Sequence, residues 1–437
     1  MFSFCVRYYN VQKALNNTLD NLVKRSVGMN YSETLSYIHS LGNFKRPAGL
    51  NRITAALEKL NNPQNSFEAI HIAGTNGKGS VSAMLAKIFE TAGFKTGLYI
   101  SPYIIDFRER IQINGEFIGK EELTVYADRV IKTKIDLSEF EFITAAAFSY
   151  FADKKCDIVI AETGLGGRLD ATNTLERVRA AVITKIGVDH AAILGDTAEK
   201  IAAEKCGIIK NFPAVVSANQ KSEVLGIIKK YAANYTSPDI SRLKVIRCDG
   251  NGTEYIYKDK EYSLSLCGKY QIENSLTAIE AVAASGFNIP YETVKKALAE
   301  TFFPARAEII CKSPLTVLDG AHNPDGAEAL SEIMEKYSGN ITALIGVMRD
   351  KDYKILLEKT LKHCKSAVAV TVENMPRSLE RQELAAAAGR YCPCVTAENY
   401  DIAIEKSRFL AGEGPVFVFG SLYLAGGIRE KLKKFYN

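Results

Sequence analysis

The run Gly74-Thr75-Asn76-Gly77-Lys78-Gly79-Ser80 constrains this chain more than any other segment, because of what flanks it. Phe67-Glu68-Ala69-Ile70-His71-Ile72-Ala73 reads as a short buried strand. After the run, Val81, Met84, Leu85, Ile88 and Phe89 fall on one face of a helix. A strand, a glycine turn and a helix start together aim backbone N–H groups and a helix N-terminus at a phosphate. Glycine permits the positive φ angles and close approach that a side chain would block. In that frame Lys78 sits over the β- and γ-phosphates, and the Ser80 hydroxyl is free for Mg²⁺. The common pattern G-x-x-x-x-G-K-[ST] is not met. Ile72 holds the place of its first glycine, and Gly79 stands where Ser or Thr should follow the lysine. A tight turn beside a surface lysine leaves the flanking strand and helix unused. A nucleotide site is expected.

With 437 residues the chain has room for two or three domains with cores of their own. Apolar content of 47% and charged content of 24% suit a soluble globular protein. No apolar run approaches the ~20 residues that span a bilayer, so no membrane association is expected. Nine cysteines are scattered along the chain, and Cys392-Pro393-Cys394 lacks the CxxC spacing of redox or zinc pairs. Reduced thiols and a cytoplasmic location follow as expectations. The net charge of +5 suits small anionic substrates and falls short of the concentrated basic surface that nucleic acid needs. Residues 1–28 are polar and weakly basic, without the apolar core of a signal peptide. A regular helical pattern starts only at Met29, with Tyr31, Leu35, Ile38 and Leu41, so 1–28 reads as a dispensable extension.

From Phe67 onward, β-rich runs alternate with helical patterns, which predicts an α/β fold with a mainly parallel sheet wrapped by helices. Strands are expected at 67–73, 96–100, 156–162, 179–186 and 214–217, and helices at 120–133, 141–153, 197–209 and 223–234. The segment 244–267 reads as antiparallel strands turning at Asn251-Gly252. A helix from Tyr270 to Ala284 follows, and Pro290, Phe302, Phe303 and Pro304 mark a hinge. Beyond it, strands at 315–319, 341–346, 366–371 and 415–419 alternate with helices at 324–336, 352–362, 378–390 and 399–411. The expected domains are 29–303, of P-loop type, and 304–437, a smaller open α/β unit of Rossmann-like kind. A phosphate loop on one domain invites a closing partner from the other.

Other strand ends carry polar groups where open α/β sheets bind ligands. Glu162 precedes the turn Thr163-Gly164-Leu165-Gly166-Gly167 and could complete the Mg²⁺ shell begun by Ser80. Alone, Glu162 would read as a solvated strand-end acid. His190 ends the run Thr184-Lys185-Ile186-Gly187-Val188-Asp189, although one imidazole in an oxygen-rich Mg²⁺ site is uncommon. Lys205 lies in a helical pattern, where lysines default to exposed. In the second domain, Asp319 could hold a ribose hydroxyl or an amine, and Arg306 could pair with a phosphate. Asn323 reads equally as the cap of the next helix.

Taken in order, these segments resemble the folylpolyglutamate and dihydrofolate synthase family of the Mur ligase superfamily, from about Met29 to the C-terminus. The glycine run resembles that family's own phosphate loop, Thr75 through Ser80. Ser101-Pro102-Tyr103 with Glu109-Arg110-Ile111 resembles its substrate loop, although Tyr103 stands where a histidine is more usual. Glu162 to Asn173, Gly187 to His190, Gly268 to Asn274 and Asp319 to Asn323 match in sequence and order. The resemblance implies an ATP-dependent C–N ligase acting through an acyl phosphate, with a folate or dihydropteroate as acceptor and L-glutamate as amine. It implies Ser80 and Glu162 at one Mg²⁺, and Glu162, His190 and a carbamylated Lys205 at a second. It assigns adenine to Asn274, nucleotide contacts to Arg306 and Asp319, and the γ-phosphate and incoming amino acid to His322. Lys78, Lys205 and His322 are the implied catalytic groups. Tyr103, Arg110, Asp170 and Ala171 are the implied acceptor contacts, the last two matching a pterin-binding part.

Too few residues lie between Met29 and Gly74 for the extra N-terminal domain of the family's peptidoglycan-building relatives. The rival of another class is a P-loop phosphotransferase acting on a hydroxyl. The missing G-K-[ST] and the whole second domain count against it. A nucleotide-gated binding protein would have no use for Lys78, Ser80, Glu162, His190, Lys205 and His322 together. The absence of a strong self-complementary apolar stretch predicts a monomer.

Overall fold

The computed structural model describes residues 28–42, 47–189, 191–249 and 252–436. His190, the turn residue Asn251 and, apart from Gly28, the extension expected at 1–28 lie outside the described residues. Strand β1 (Glu68–Ala73) is buried on both faces. Ile70 and Ile72 pack with Val81, Met84, Leu85, Ile88 and Phe89 of the helix Lys78–Thr91. Ala69, on the other face, joins Phe142, Ile143 and Phe148 of the helix Glu139–Asp153. Two covered faces explain why the strand reads as a continuous apolar run.

Around β1 stand β2 (Thr96–Tyr99), β3 (Ile111–Ile113), β4 (Glu116–Phe117), β5 (Ile158–Glu162), β6 (Val178–Ile183) and β7 (Ala214–Val216), in the order β4-β3-β2-β5-β1-β6-β7. From β2 to β7 every neighbouring pair is parallel, and β3 and β4 add an antiparallel hairpin at one edge. That hairpin is too short to leave a periodic signature in the sequence. Because β1 lies between β5 and β6, a crevice opens at the carboxyl ends of these three strands.

Strands β8 (Leu243–Asp249), β9 (Gly252–Tyr257) and β10 (Lys260–Leu264) form the expected antiparallel sheet. The β9 residues Tyr255 and Tyr257 anchor it to the helix Lys269–Ala284 through Ser275 Oγ and Glu280 Oε1, each at 2.7 Å. The second sheet holds β11 (Glu308–Lys312), β12 (Leu315–Leu318), β13 (Ile341–Ile345), β14 (Cys364–Val370), β15 (Cys394–Ala397) and β16 (Val416–Phe419). Its order is β11-β12-β16-β13-β14-β15, parallel except for β11. The helices Pro324–Met334, Tyr353–Leu361 and Arg381–Ala388 cover one face, and Tyr400–Ala411 and Leu422–Tyr436 the other. Strands β11 and β15 and the helices Asn51–Lys59, Tyr291–Glu300 and Leu422–Tyr436 are additions to the sequence reading. Gly426 and Gly427 inside the last helix mask it from a propensity argument. The eight described cysteines are free. No described helix is long and apolar enough to cross a membrane.

Candidate functional site

The turn after β1 is pinned to the end of β6. Thr75 N and Asn76 N donate to Lys185 O at 2.9 and 3.1 Å. Thr75 Oγ1 donates to Gly187 O at 3.0 Å and accepts from Gly187 N at 3.1 Å. Gly77 takes the left-handed conformation, φ 89°, and a Cβ there would sit 2.4 Å from Asn274 Oδ1. The helix Lys78–Thr91 has no side-chain cap, so its first N–H groups face outward for an anion.

Glu162, at the end of β5, is buried beneath this turn. Its Oε2 accepts from Ser101 N at 3.3 Å, and its Oε1 lies 3.8 Å from Lys78 Nζ. Burial raises its pKa, while Lys78, the Ser101 amide and Arg306 pull it back. The hydroxyls of Ser101 and Thr163, beside it in the chain or through that bond, are buried without partners. An underused carboxylate, two orphan hydroxyls and the buried Ser80 form an oxygen-rich set that fits Mg²⁺. Among the described residues no group of three His, Cys, Asp or Glu converges on a metal position.

Lys205 departs from the expected exposed position: it is buried, at 4%. The cause is the glycine turn after β5, which crosses the helix Ala198–Cys206 so closely that a Cβ on Gly167 would lie 2.7 Å from Lys205 O. Lys205 Nζ points into the crevice and donates to Gly74 O at 2.7 Å. Burial, then the charge of Lys78, pulls its pKa down to about 7.

The second domain contributes from the end of β12. Asp319 is buried, with Oδ2 accepting from Ala307 N and Oδ1 from Ala321 N, both at 2.7 Å. Burial raises its pKa and Arg306 opposes the rise. The guanidinium of Arg306 lies 5.8 Å over the Phe303 ring, and that ring packs against Gly79. The charge of Arg306 reaches Glu162, Asp319 and His322 alike. His322 Nδ1 pairs with Gly320 O at 2.8 Å, and burial holds its pKa down at about 4. Its imidazole is neutral at pH 7, with Nδ1–H donating to the carbonyl.

Asn323 caps the helix Pro324–Met334 through Gly326 N at 2.8 Å, as expected, and also bridges the domains. Its Nδ2 lies 3.1 Å from Asn76 Oδ1 and 3.3 Å from Asp189 Oδ2. Asn76 Nδ2 donates to Asp325 Oδ2 at 3.2 Å, and Lys351 Nζ to Asp189 Oδ1 at 2.9 Å. Asp189, Asp325 and Lys351 were not singled out from the sequence. Only the capping pattern Asn323-Pro324 gave a signal there.

Tyr103 and Arg110 stand together on the loop that begins at Ser101. Arg110 Cζ lies 5.2 Å over the Tyr103 ring and 5.3 Å over Phe107, and its Nε is buried without a partner. The loop backbone is gathered by Glu109, which accepts from Ile104 N at 2.7 Å and from Ile105 N and Asp106 N at 2.8 Å. Asp170 is buried and caps the 3-10 turn Ala171–Thr174, so its capping role is real whatever else it binds. Asn274 lies behind Gly77, its Nδ2 on Gln271 Oε1 at 3.0 Å.

Family models for the Mur ligase middle domain and the Mur ligase glutamate ligase domain match residues 72–282 and 305–422. A dihydrofolate synthase/folylpolyglutamate synthase of Bacillus subtilis is 34% identical over 432 residues, 92% of this chain and 99% of that protein. The structure of E. coli FolC in complex with DHPP and ADP superposes with a TM-score of 0.84 at 27% identity, covering 94% of this chain and 99% of that one. A bifunctional folylpolyglutamate synthase/dihydrofolate synthase with Mn, AMPPNP and L-glutamate bound gives 0.81 at 27% identity, covering 92% and 98%.

Proposed function

This chain belongs to the Mur ligase family, in its branch of folylpolyglutamate and dihydrofolate synthases, and we propose that it joins L-glutamate to a folate and to 7,8-dihydropteroate at the cost of ATP. The observation that carries this reading is the meeting of two half-sites. The phosphate turn and Glu162 come from one domain, and Arg306, Asp319 and His322 from the other, with Asn76 bonded across the gap. We take the domains as 29–303 and 304–437, since Phe303 packs in the first domain's core and β11 opens the second sheet.

In the reaction, a carboxylate oxygen of the acceptor attacks the γ-phosphorus of ATP and ADP leaves, giving an acyl phosphate. The glutamate amine then attacks the acyl carbon, phosphate leaves, and the amide remains. Lys78 and the uncapped helix start hold the phosphates; Arg306 adds a cation at the domain boundary. Asn274 backs the adenine, Asp319 the nucleotide sugar, and neutral His322 orients the γ-phosphate and the amine. Ser80, Glu162 and His190 would hold Mg²⁺, which neutralises charge on the transferring phosphoryl group. Complexes of two relatives with ADP and with Mn and AMPPNP support ATP and a divalent cation. An amine with a pKa near 7 presents the neutral nitrogen that adds to CO₂, which supports a carbamate on Lys205. Tyr103 and Arg110 receive the acceptor carboxylates, and Asp170 with Ala171 its pterin end. A monomer in the cytoplasm completes the reading.

The test is ADP release with ATP, Mg²⁺ and L-glutamate, with dihydropteroate in one reaction and tetrahydrofolate in another. Glutamate-dependent turnover with both is expected. Glutamate-independent release would identify a phosphotransferase or ATPase instead.

A further inference from the structure

His71 stands in the middle of β1, paired with Ala161 of β5 and Ala181 of β6, and is 1% exposed. An imidazole in the centre of a parallel sheet has lost its water and requires a partner. Its Nε2 lies 2.8 Å from Thr172 Oγ1, and Thr172 Oγ1 lies 2.6 Å from Asp170 Oδ1. Proton counting gives this chain a direction. Asp170 already accepts from Leu165 N at 2.9 Å on one oxygen and from Thr172 N at 3.0 Å on the other. Burial raises the Asp170 pKa, and the amides of Leu165, Thr172 and Gly164 with the Thr172 hydroxyl oppose the rise, favouring the carboxylate as acceptor. The single hydroxyl proton of Thr172 therefore goes to Asp170, and the Thr172 oxygen accepts from His71 Nε2–H. Burial, with the charge of Lys210 behind it, holds the His71 pKa down at about 3, so the ring is neutral and carries its one proton on Nε2. None of the steps above uses this residue.

We propose that His71 is a positioning residue for the acceptor: through Thr172 it fixes the Asp170 carboxylate, so that a remaining lone pair meets an amino group of a pterin-type ring. The proposal rests on the reading of Asp170 as an acceptor contact. An apolar residue at 71 would leave the Thr172 hydroxyl free to rotate away from Asp170, and the carboxylate would lose its strongest local donor. The geometry predicts an effect on acceptor recognition and none on ATP.

Steady-state kinetics of the full chain with 7,8-dihydropteroate test this in His71→Leu, His71→Gln, Thr172→Val and Asp170→Asn. His71→Leu should raise the dihydropteroate KM about 10-fold, the scale of one hydrogen bond to a charged group, with the ATP KM unchanged. His71→Gln, whose amide N–H can replace Nε2–H, should stay within about 3-fold of the parent. Added to Thr172→Val, His71→Leu should cost nothing further, because the hydroxyl it acts through is gone. If His71→Leu folds poorly, Thr172→Val and His71→Gln carry the test. A parental KM in both His71→Leu and Thr172→Val, with Asp170→Asn impaired, would overturn the proposal and leave Asp170 in place. Equal damage from His71→Gln and His71→Leu would reduce His71 to packing. A parental KM in Asp170→Asn would overturn the Asp170 reading itself.

Discussion

Asn76 in the phosphate turn and Asp325 in the second domain share a hydrogen bond of 3.2 Å, and Gly187 lies directly against it. A Cβ on Gly187 would fall 1.8 Å from Asp325 Oδ2. Its φ lies outside the left-handed range, so alanine fits the backbone there and the conflict is with the carboxylate alone. Gly187→Ala should therefore swing Asp325 off Asn76 and loosen domain closure without unfolding either domain. The expected outcome is a fall of about 10-fold in kcat/KM for L-glutamate, the worth of one charge-assisted hydrogen bond. Initial rates with glutamate varied, beside a melting curve, check it. A parental kcat/KM would show that closure does not depend on this contact.

Lys205 offers a separation of stability from activity. A buried cation replaced by an apolar side chain of similar volume is often neutral or stabilising. Lys205→Met should melt no lower than the parent, yet turn over at least about 100-fold more slowly if Lys205 serves the reaction, with no rescue by bicarbonate. With CO₂ excluded, so that the Lys205 amine is free of carbamate, the pH dependence has a definite sign. The folded pKa of about 7 lies below the ordinary lysine value of 10.5, so between those values the unfolded chain binds the extra proton. Stability should rise with pH across that window and lose its Lys205 share as pH falls through 7. Denaturant melts of the parent at pH 7 and pH 9 should diverge in that direction, and those of Lys205→Met should diverge less.

The features that were legible in the sequence are local ones. The phosphate turn, the alternation of strands and helices and the cap at Asn323 each rest on residues within one turn or one period. The inward Lys205 was not legible, because its rotation is set by Gly167 approaching the helix from a different part of the chain. The clamp of Asp189 by Lys351 and Asn323 was hidden for the same reason: its partners come from different domains. Strand β15 escaped notice because Val395 is exposed and Cys394 only half-buried, which breaks the apolar run expected of a parallel strand. Arg306 was visible as a charge, whereas the two residues that aim it were not.

Those two are Ala305 and Ala307, at φ 55° and 49° on either side of Arg306. A left-handed alanine costs about 1–2 kcal/mol, and Ala305 is also fully buried, its methyl in the second domain's core. In Ala305→Gly the relief of strain is offset by the lost methyl, about 0.8 kcal/mol, and by the freer unfolded chain. A change within about 1 kcal/mol is expected. Ala305→Val adds β-branching to the same backbone and bulk to a packed core, and should cost more than about 2 kcal/mol. Denaturant melts of the two variants decide whether the tight bend is tolerated strain.

Gly426 sits inside the helix Leu422–Tyr436, where alanine would ordinarily stabilise by about 1 kcal/mol. Here a Cβ would lie 1.7 Å from Ile104 O, a backbone atom that has no rotamer to escape into. Ile104 itself is buried in the second domain's core with Leu424 and Ile428. Glu109 holds the N–H groups of Ile104, Ile105 and Asp106 together, so the loop can lift only as a unit. Tyr103 and Arg110, stacked on that loop, would move with it. Gly426→Ala should thus raise the KM for tetrahydrofolate about 10-fold and leave the KM for ATP unchanged, since the phosphate turn lies elsewhere. Faster hydrogen exchange at Ile104 and Ile105 would accompany it, because the lifted loop loses its packing on Leu424 and Ile428 and opens more readily. An unchanged acceptor KM with faster exchange would mean that the loop can lift without disturbing acceptor binding, and would remove Tyr103 and Arg110 from the acceptor site.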